Sequence, residues 1–242
     1  MKKITKVATV LAAMAATTAL AGTAQAADGN QDGKFQVKLL ATGVLPSGSL
    51  SSVNDPHGLT AAHGSLHGLD TTANNNVTPT IAVEYFIVPS ISIETIAGIS
   101  SHHVTSPAFG GAGLVDHAQV IPFTLTAKYH VVGLLPFGIK PYVGAGPTLF
   151  AWINDRPSAV LQGGVGGAIP GITRTKLSSE LGAVVQAGFD VPVGHGYSLS
   201  FDAKKYFVKT NAHFYTAALG DTLDASVRLN PWVISTGVAY RF

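Results

Sequence analysis

Few side chains in this sequence could bind or transform a small molecule. Nine histidines and no cysteine are present. The absence of Cys excludes a thiolate metal site, a cysteine nucleophile and a disulfide scaffold. Six of the histidines, His57, His63, His67, His102, His103 and His117, fall in or at the edge of the first two long connecting segments. Imidazoles gathered there could ligate Zn²⁺ or Cu²⁺. His63 and His67 have the spacing of one helix face, but the Gly-rich segment around them does not read as a helix. These histidines therefore read as polar loop residues, and no metal is expected. Residues 163–171 have the glycine density of a phosphate-cradling loop, but no following helix and no Lys accompany them. Ser100 beside His102 and His103 supplies residue types that a lipid-modifying enzyme would use. The same loops hold so many Ser and His that no ordered set stands out. No catalytic residue, cofactor or enzyme activity is expected.

What remains is a set of ionisable side chains at regular intervals: Lys38, Glu84, Glu94, Lys128, His130, Lys140, Glu180, Asp190, Asp202, Lys204 and Arg241. Each stands in a segment where every second residue is apolar, and each occupies the other phase. Ile121, Phe123, Leu125, Ala127 and Tyr129 alternate with Pro122, Thr124, Thr126, Lys128 and His130. Leu181, Ala183, Val185, Ala187 and Phe189 alternate with Gly182, Val184, Gln186, Gly188 and Asp190. Successive side chains of a strand point to opposite faces, so each segment has an apolar face and a mixed one. The pattern predicts eight strands, near 34–45, 80–87, 91–100, 121–131, 140–152, 180–191, 197–204 and 227–242. Four long connections, at 46–77, 104–117, 154–179 and 209–226, interleave with three short ones at 88–90, 132–138 and 192–196. Long loops at one end and short turns at the other are the hairpin asymmetry of an outer-membrane barrel.

Composition agrees. Of 242 residues only 12% are charged and 46% are hydrophobic, and mean hydropathy is +0.31. Yet after residue 26 no apolar run reaches the length of a membrane helix. Strands with an apolar outer face and a polar inner face reconcile the two facts, because a closed barrel satisfies its own backbone in lipid. Tyr85, Tyr129, Tyr197, Phe207, Trp232, Tyr240 and Phe242 lie near strand ends, where interfacial aromatic girdles belong.

Residues 1–26 read as an export signal: Lys2, Lys3 and Lys6, then an Ala-rich apolar stretch, then Ala24-Gln25-Ala26 as a cleavage site. Residues 27–242 are the barrel with its four long external loops. Three of the 15 cations leave with the signal, so 12 face 13 carboxylates and the exported chain has a net charge of −1. No nucleic-acid footprint remains. The protein is expected in the outer membrane of a Gram-negative bacterium, exported through the Sec pathway.

The chain ends Val227-Arg-Leu-Asn-Pro-Trp, then Gly237-Val-Ala-Tyr-Arg-Phe242. A terminal Phe with an aromatic two positions earlier resembles the insertion signal of outer-membrane barrels. The whole run is similar to the end of the OmpW family. Lys140-Pro-Tyr-Val-Gly-Ala-Gly146, Thr80-Ile-Ala-Val-Glu-Tyr-Phe86 and Ser92-Ile-Glu-Thr-Ile-Ala-Gly98 resemble further strands of that family. The resemblance implies an eight-stranded outer-membrane barrel. It also implies a narrow channel for small, mostly hydrophobic compounds that opens sideways into the bilayer, with toxin reception in some members. The first long loop has no counterpart in it.

The fold expected is therefore all-β, an eight-stranded antiparallel transmembrane barrel, monomeric, surrounded by outer-membrane lipid and assembled by the barrel-insertion machinery. The eleven ionisable residues above are expected to line its lumen. Gly144, Gly146, Gly182 and Gly188 on the same face are expected to leave room there. The function expected is a narrow channel or binding site for small hydrophobic solutes. The alternative is a closed barrel acting as a surface receptor or adhesin through its external loops.

Overall fold

A computed structural model describes residues 33–54, 70–73, 75–105, 113–133, 135–157, 162, 172–216 and 220–242. Residues 1–26, expected to be an export signal, and His57, His63, His67 and the Gly-rich run from residue 163 lie outside the described residues.

Among the described residues there are thirteen strands: β1 (Phe35–Leu45), β2 (Gly48–Asn54), β3 (Asp70–Ala73), β4 (Asn76–Val88), β5 (Ile91–Gly98), β6 (Ser100–Thr105), β7 (Gly113–His130), β8 (Lys140–Pro157), β9 (Ile172–Leu177), β10 (Leu181–Gly194), β11 (Tyr197–Thr216), β12 (Gly220–Leu229) and β13 (Trp232–Arg241). Eight of them, β1, β4, β5, β7, β8, β10, β11 and β13, pair in that order, all antiparallel. The ring closes where β1 meets β13, from Gln36 opposite Arg241 to Leu45 opposite Trp232. Closure leaves no edge in lipid. The short turns and the chain end share one rim. His195-Gly196, with φ of 52° and 78°, makes one of the two-residue turns. Positive φ at both residues is the twist that matches a two-residue hairpin.

The remaining strands, β2, β3, β6, β9 and β12, carry the wall upward beyond the opposite rim. β2 continues β1 past Pro46-Ser47 and pairs with β12, which continues β13 past Asn230-Pro231. β6 continues β5 and β9 runs into β10. The sequence pattern placed these stretches in loops. In particular, most of 209–226 is the antiparallel pair of β11 and β12, and His102, His103 and His117 lie in β6 and β7 rather than in a loop.

The physical reason is visible along β11. Low on the strand the interior face carries Ser198, Ser200, Asp202 and Lys204, all buried, and the outer face carries Leu199 and Phe201, both exposed. Higher up, the interior positions become Tyr206, Val208, Thr210 and Ala212, mostly apolar, while Lys209 faces out. The barrel is polar-in, apolar-out where lipid surrounds it and apolar-in, polar-out above. The apolar signal changes phase midway along the strand, and a pattern search tuned to one phase stops there.

Candidate functional site

The lower lumen is filled by ionisable side chains. The buried members are Lys38, Lys128, Lys204 and Arg241 against Glu84, Glu94, Asp190 and Asp202, with His130 beside them. Four cations thus balance four carboxylates in charge. Glu84 and Glu94 stand directly opposite each other on β4 and β5, an arrangement that repels. Lys128 bridges them, its Nζ 2.8 Å from Glu84 Oε2 and 2.9 Å from Glu94 Oε2. Lys38 adds contacts of 3.1 Å to Glu84 and 3.3 Å to Asp190. Lys204 joins Asp202 at 2.6 Å and Glu94 at 3.2 Å. His130 Nε2 lies 2.8 Å from Glu84 Oε1, which also accepts from Ser92 Oγ at 2.5 Å. Buried charges persist when paired and hydrogen-bonded, and each of these four carboxylates has at least one cation or phenol on it. Arg241 packs over the Phe86 ring at 3.6 Å and donates to the Gly33 carbonyl.

Two residues of the expected set fall elsewhere. Lys140 pairs in register with Asp190 at the turn-side mouth and is only half-buried. Glu180 does not face the lumen. Residues 178–180 lie between β9 and β10, where the alternation is interrupted, and the Glu180 carboxylate accepts from Asn211 Nδ2 at 3.3 Å. Asn211 sits between buried Thr210 and Ala212, on the outer phase of β11.

The inward glycines do not open a void. Gly188 stands opposite Tyr142 in the ladder, and a Cβ added there would collide with the Tyr142 hydroxyl and the Phe201 carbonyl. Gly144 likewise stands against the Lys128 and Gln186 side chains. The glycines let large neighbours lie across the lumen. Tyr142 is the central one: its hydroxyl donates to Asp202 Oδ2 at 3.0 Å and its ring lies 3.7 Å beneath the Lys128 ammonium. Gln36, Ser92, Tyr142 and Gln186 thus belong to the network although no charge drew attention to them. Their inward phase was the one signal available.

Above this floor the lumen changes character. Val120, Phe150, Val184, Tyr206, Val208 and Val233 form one buried apolar cluster, and Leu40, Ala82 and Ile96 form another. They adjoin a cavity of about 120 Å³ walled by Val44, Ile96, Val120, Pro122, Phe150, Trp152, Tyr206 and Val233, with Pro46 and Pro231 at the strand breaks. Thr42, Thr80 and Ser235 hydroxyls, linked at 2.6 and 2.9 Å, separate the chamber from the charges below. The wall has a seam at this level. The β8–β10 ladder ends at Leu149 opposite Leu181. Beyond it, among the described residues, β8 is laddered only to β7, and β9 only to β11.

The sequence profile of the OmpW family matches residues 31–242. Outer membrane protein W of Escherichia coli K12 is 28% identical over 247 residues, covering 100% of both chains. The outer-membrane protein y4mB of Sinorhizobium fredii is 30% identical over 188 residues, 76% of this chain and 75% of its own. Among solved structures, OprG of Pseudomonas aeruginosa superposes with a TM-score of 0.71 at 20% identity, covering 87% of this chain and 96% of that one. AlkL in lipid bilayers gives a TM-score of 0.65 at 18% identity, covering 87% and 90%. These two likenesses carry the fold.

Proposed function

Because the chain belongs to the OmpW family and is an outer-membrane β-barrel, we propose that it takes up small hydrophobic solutes into the apolar chamber of its outer half and passes them on. The observation that supports this most is the chamber standing directly on a charge-saturated floor. An apolar solute gains by leaving water for such walls. The same solute would have to break buried ion pairs to descend further, which is costly. A sideways exit through the β8–β9 seam avoids that step, since Phe150 and Trp152 of the chamber lie on the seam strand itself. The residues at 1–26 are read as a segment removed on export. Insertion as a monomer by the barrel-assembly machinery completes the proposal.

The test uses the barrel folded in vesicles and a fluorescent apolar probe such as N-phenyl-1-naphthylamine. The intact chain should bind and transfer the probe above the level of empty vesicles. Val120→Trp, which fills the chamber, should abolish binding while the barrel keeps its folded gel mobility. Equal probe transfer by the filled and the intact barrels would overturn the reading.

A further inference from the structure

On the outside of the barrel, above the apolar belt, cations gather on three neighbouring strands. Cross-strand partners share a face. The register sets Lys205 beside Trp232, Lys209 opposite Arg228, and Lys176 beside His213. Val208, Thr210 and Ala212 are buried, so Lys209 and the residues in phase with it point outward. Lys176, Lys209 and Arg228 are exposed. Lys205 marks the upper edge of the belt: its Nζ donates to the Asn230 carbonyl at 2.6 Å and lies 5.0 Å from the Trp232 ring centre. Trp at this position is an interfacial anchor. Lys209 stands four residues higher on β11, roughly 13 Å along the strand.

Lys209 and Arg228 face each other directly, and like charges so placed repel. Among the described residues neither has a carboxylate within ion-pair distance. The two described carboxylates on this face are engaged: Asp224 with His213 at 2.5 Å, Glu180 with Asn211 at 3.3 Å. Elsewhere on the belt's upper edge the outer face is apolar, with Val77 of β4 and Ile99 beside β5. Among the described side chains, the exposed cations near this edge gather on β9, β11 and β12.

We propose that Lys209 and Arg228, flanked by Lys176 and Lys205, bind the phosphate groups of an anionic glycolipid in the outer leaflet. A phosphate set between two opposed cations turns their repulsion into charge-assisted hydrogen bonds, and the Arg fork can hold it bidentately. The apolar belt directly below, with Phe207 and Leu181 exposed on it, receives the acyl chains. That continuity favours a membrane-bound lipid over a free anion. This site is on the opposite side of the wall from the solute chamber and does not depend on it.

The experiment folds the full barrel into phosphatidylcholine vesicles doped with diphosphorylated lipid A, extracts it in mild detergent and counts retained lipid by native mass spectrometry. The intact barrel should retain lipid A. Lys209→Gln with Arg228→Gln should lower retention at least about tenfold, as expected when charge-assisted contacts are lost. Lys34→Gln, at the other rim, should leave it unchanged. Equal retention by the double variant, or no retention by the intact barrel, overturns the proposal. Displacement by excess inorganic phosphate at equal efficiency would show a free-anion site instead. Equal retention of phosphatidylglycerol would remove the glycolipid assignment. Heat-modifiable gel mobility verifies that each variant is folded.

Discussion

Replacing Lys128 with Met removes the ammonium that separates Glu84 from Glu94. The side chain keeps nearly its volume, so the change is electrostatic rather than steric. Two contacts disappear, at 2.8 and 2.9 Å, along with the stacking on Tyr142. Charge-assisted hydrogen bonds contribute about 1.5–3 kcal/mol each. Breaking a buried pair from one side costs about 3–5 kcal/mol, because the abandoned charge stays buried. Lys38 remains near both carboxylates, at 3.1 and 3.4 Å, which places Lys128→Met toward the lower end, about 3 kcal/mol. Reversible urea titration of the barrel in one defined lipid measures it. Adding Glu94→Gln removes the stranded charge, so the double variant should recover roughly 1–2 kcal/mol of the loss as a coupling energy. A penalty under about 1 kcal/mol, or a strictly additive cycle, would refute the view that these contacts hold the lower lumen together.

Leu125 is 51% exposed on the outer face at mid-strand, so Leu125→Arg should destabilise by about 2–4 kcal/mol in the same titration; a near-neutral result would mean that this face does not meet hydrocarbon. Gly188→Val drives a side chain onto Tyr142 and the Phe201 carbonyl. It should cost about 1–3 kcal/mol or more, with loss of folded mobility, whereas Gly43→Ala, whose Cβ meets nothing closer than 3.7 Å, should be tolerated in the same gel assay. Deleting Phe242 removes a residue whose N–H donates to the Phe35 carbonyl at 2.9 Å and which stacks near Tyr240. Surface levels in cells should fall far more than the loss of about 1–3 kcal/mol expected for barrel already folded; unchanged surface levels would remove its role as an insertion signal.

The eight lipid-crossing strands and their closing pair were legible because lipid imposes one strict rule, apolar outside, on every strand at once. Nine of the eleven ionisable residues are buried in the interior for the same reason. Glu180 escaped because phase counting assumes an unbroken strand, and the break at 178–180 cancels it. The upward extensions escaped because water surrounds them. Outside lipid, Lys209, Asn211 and His213 can alternate with Thr210 and Ala212 without contrast enough to stand out. The glycines were misread because an absent side chain looks like space in a sequence. Only the neighbouring strand shows that Tyr142 occupies it. The chamber arises where the two phases meet, and no single segment encodes that.

The floor network also bears on how the chain reaches its closed form. Its members come from distant parts of the sequence: Gln36 donates to Asp190 across 154 residues, and Gln186 to Glu94 across 92. In a flat sheet these pairs would sit on strands far apart, and only curling brings them together. A partly curled intermediate would hold Asp190 without Gln36 and Lys38, and Lys204 without Glu94, which is unfavourable away from water. Intermediates are thus penalised and the closed ring is favoured, so ring closure should be a late, all-or-none event, slow as contacts of long sequence separation require. The cross-lumen contacts of the polar interior then act as a latch that engages as β1 and β13 meet.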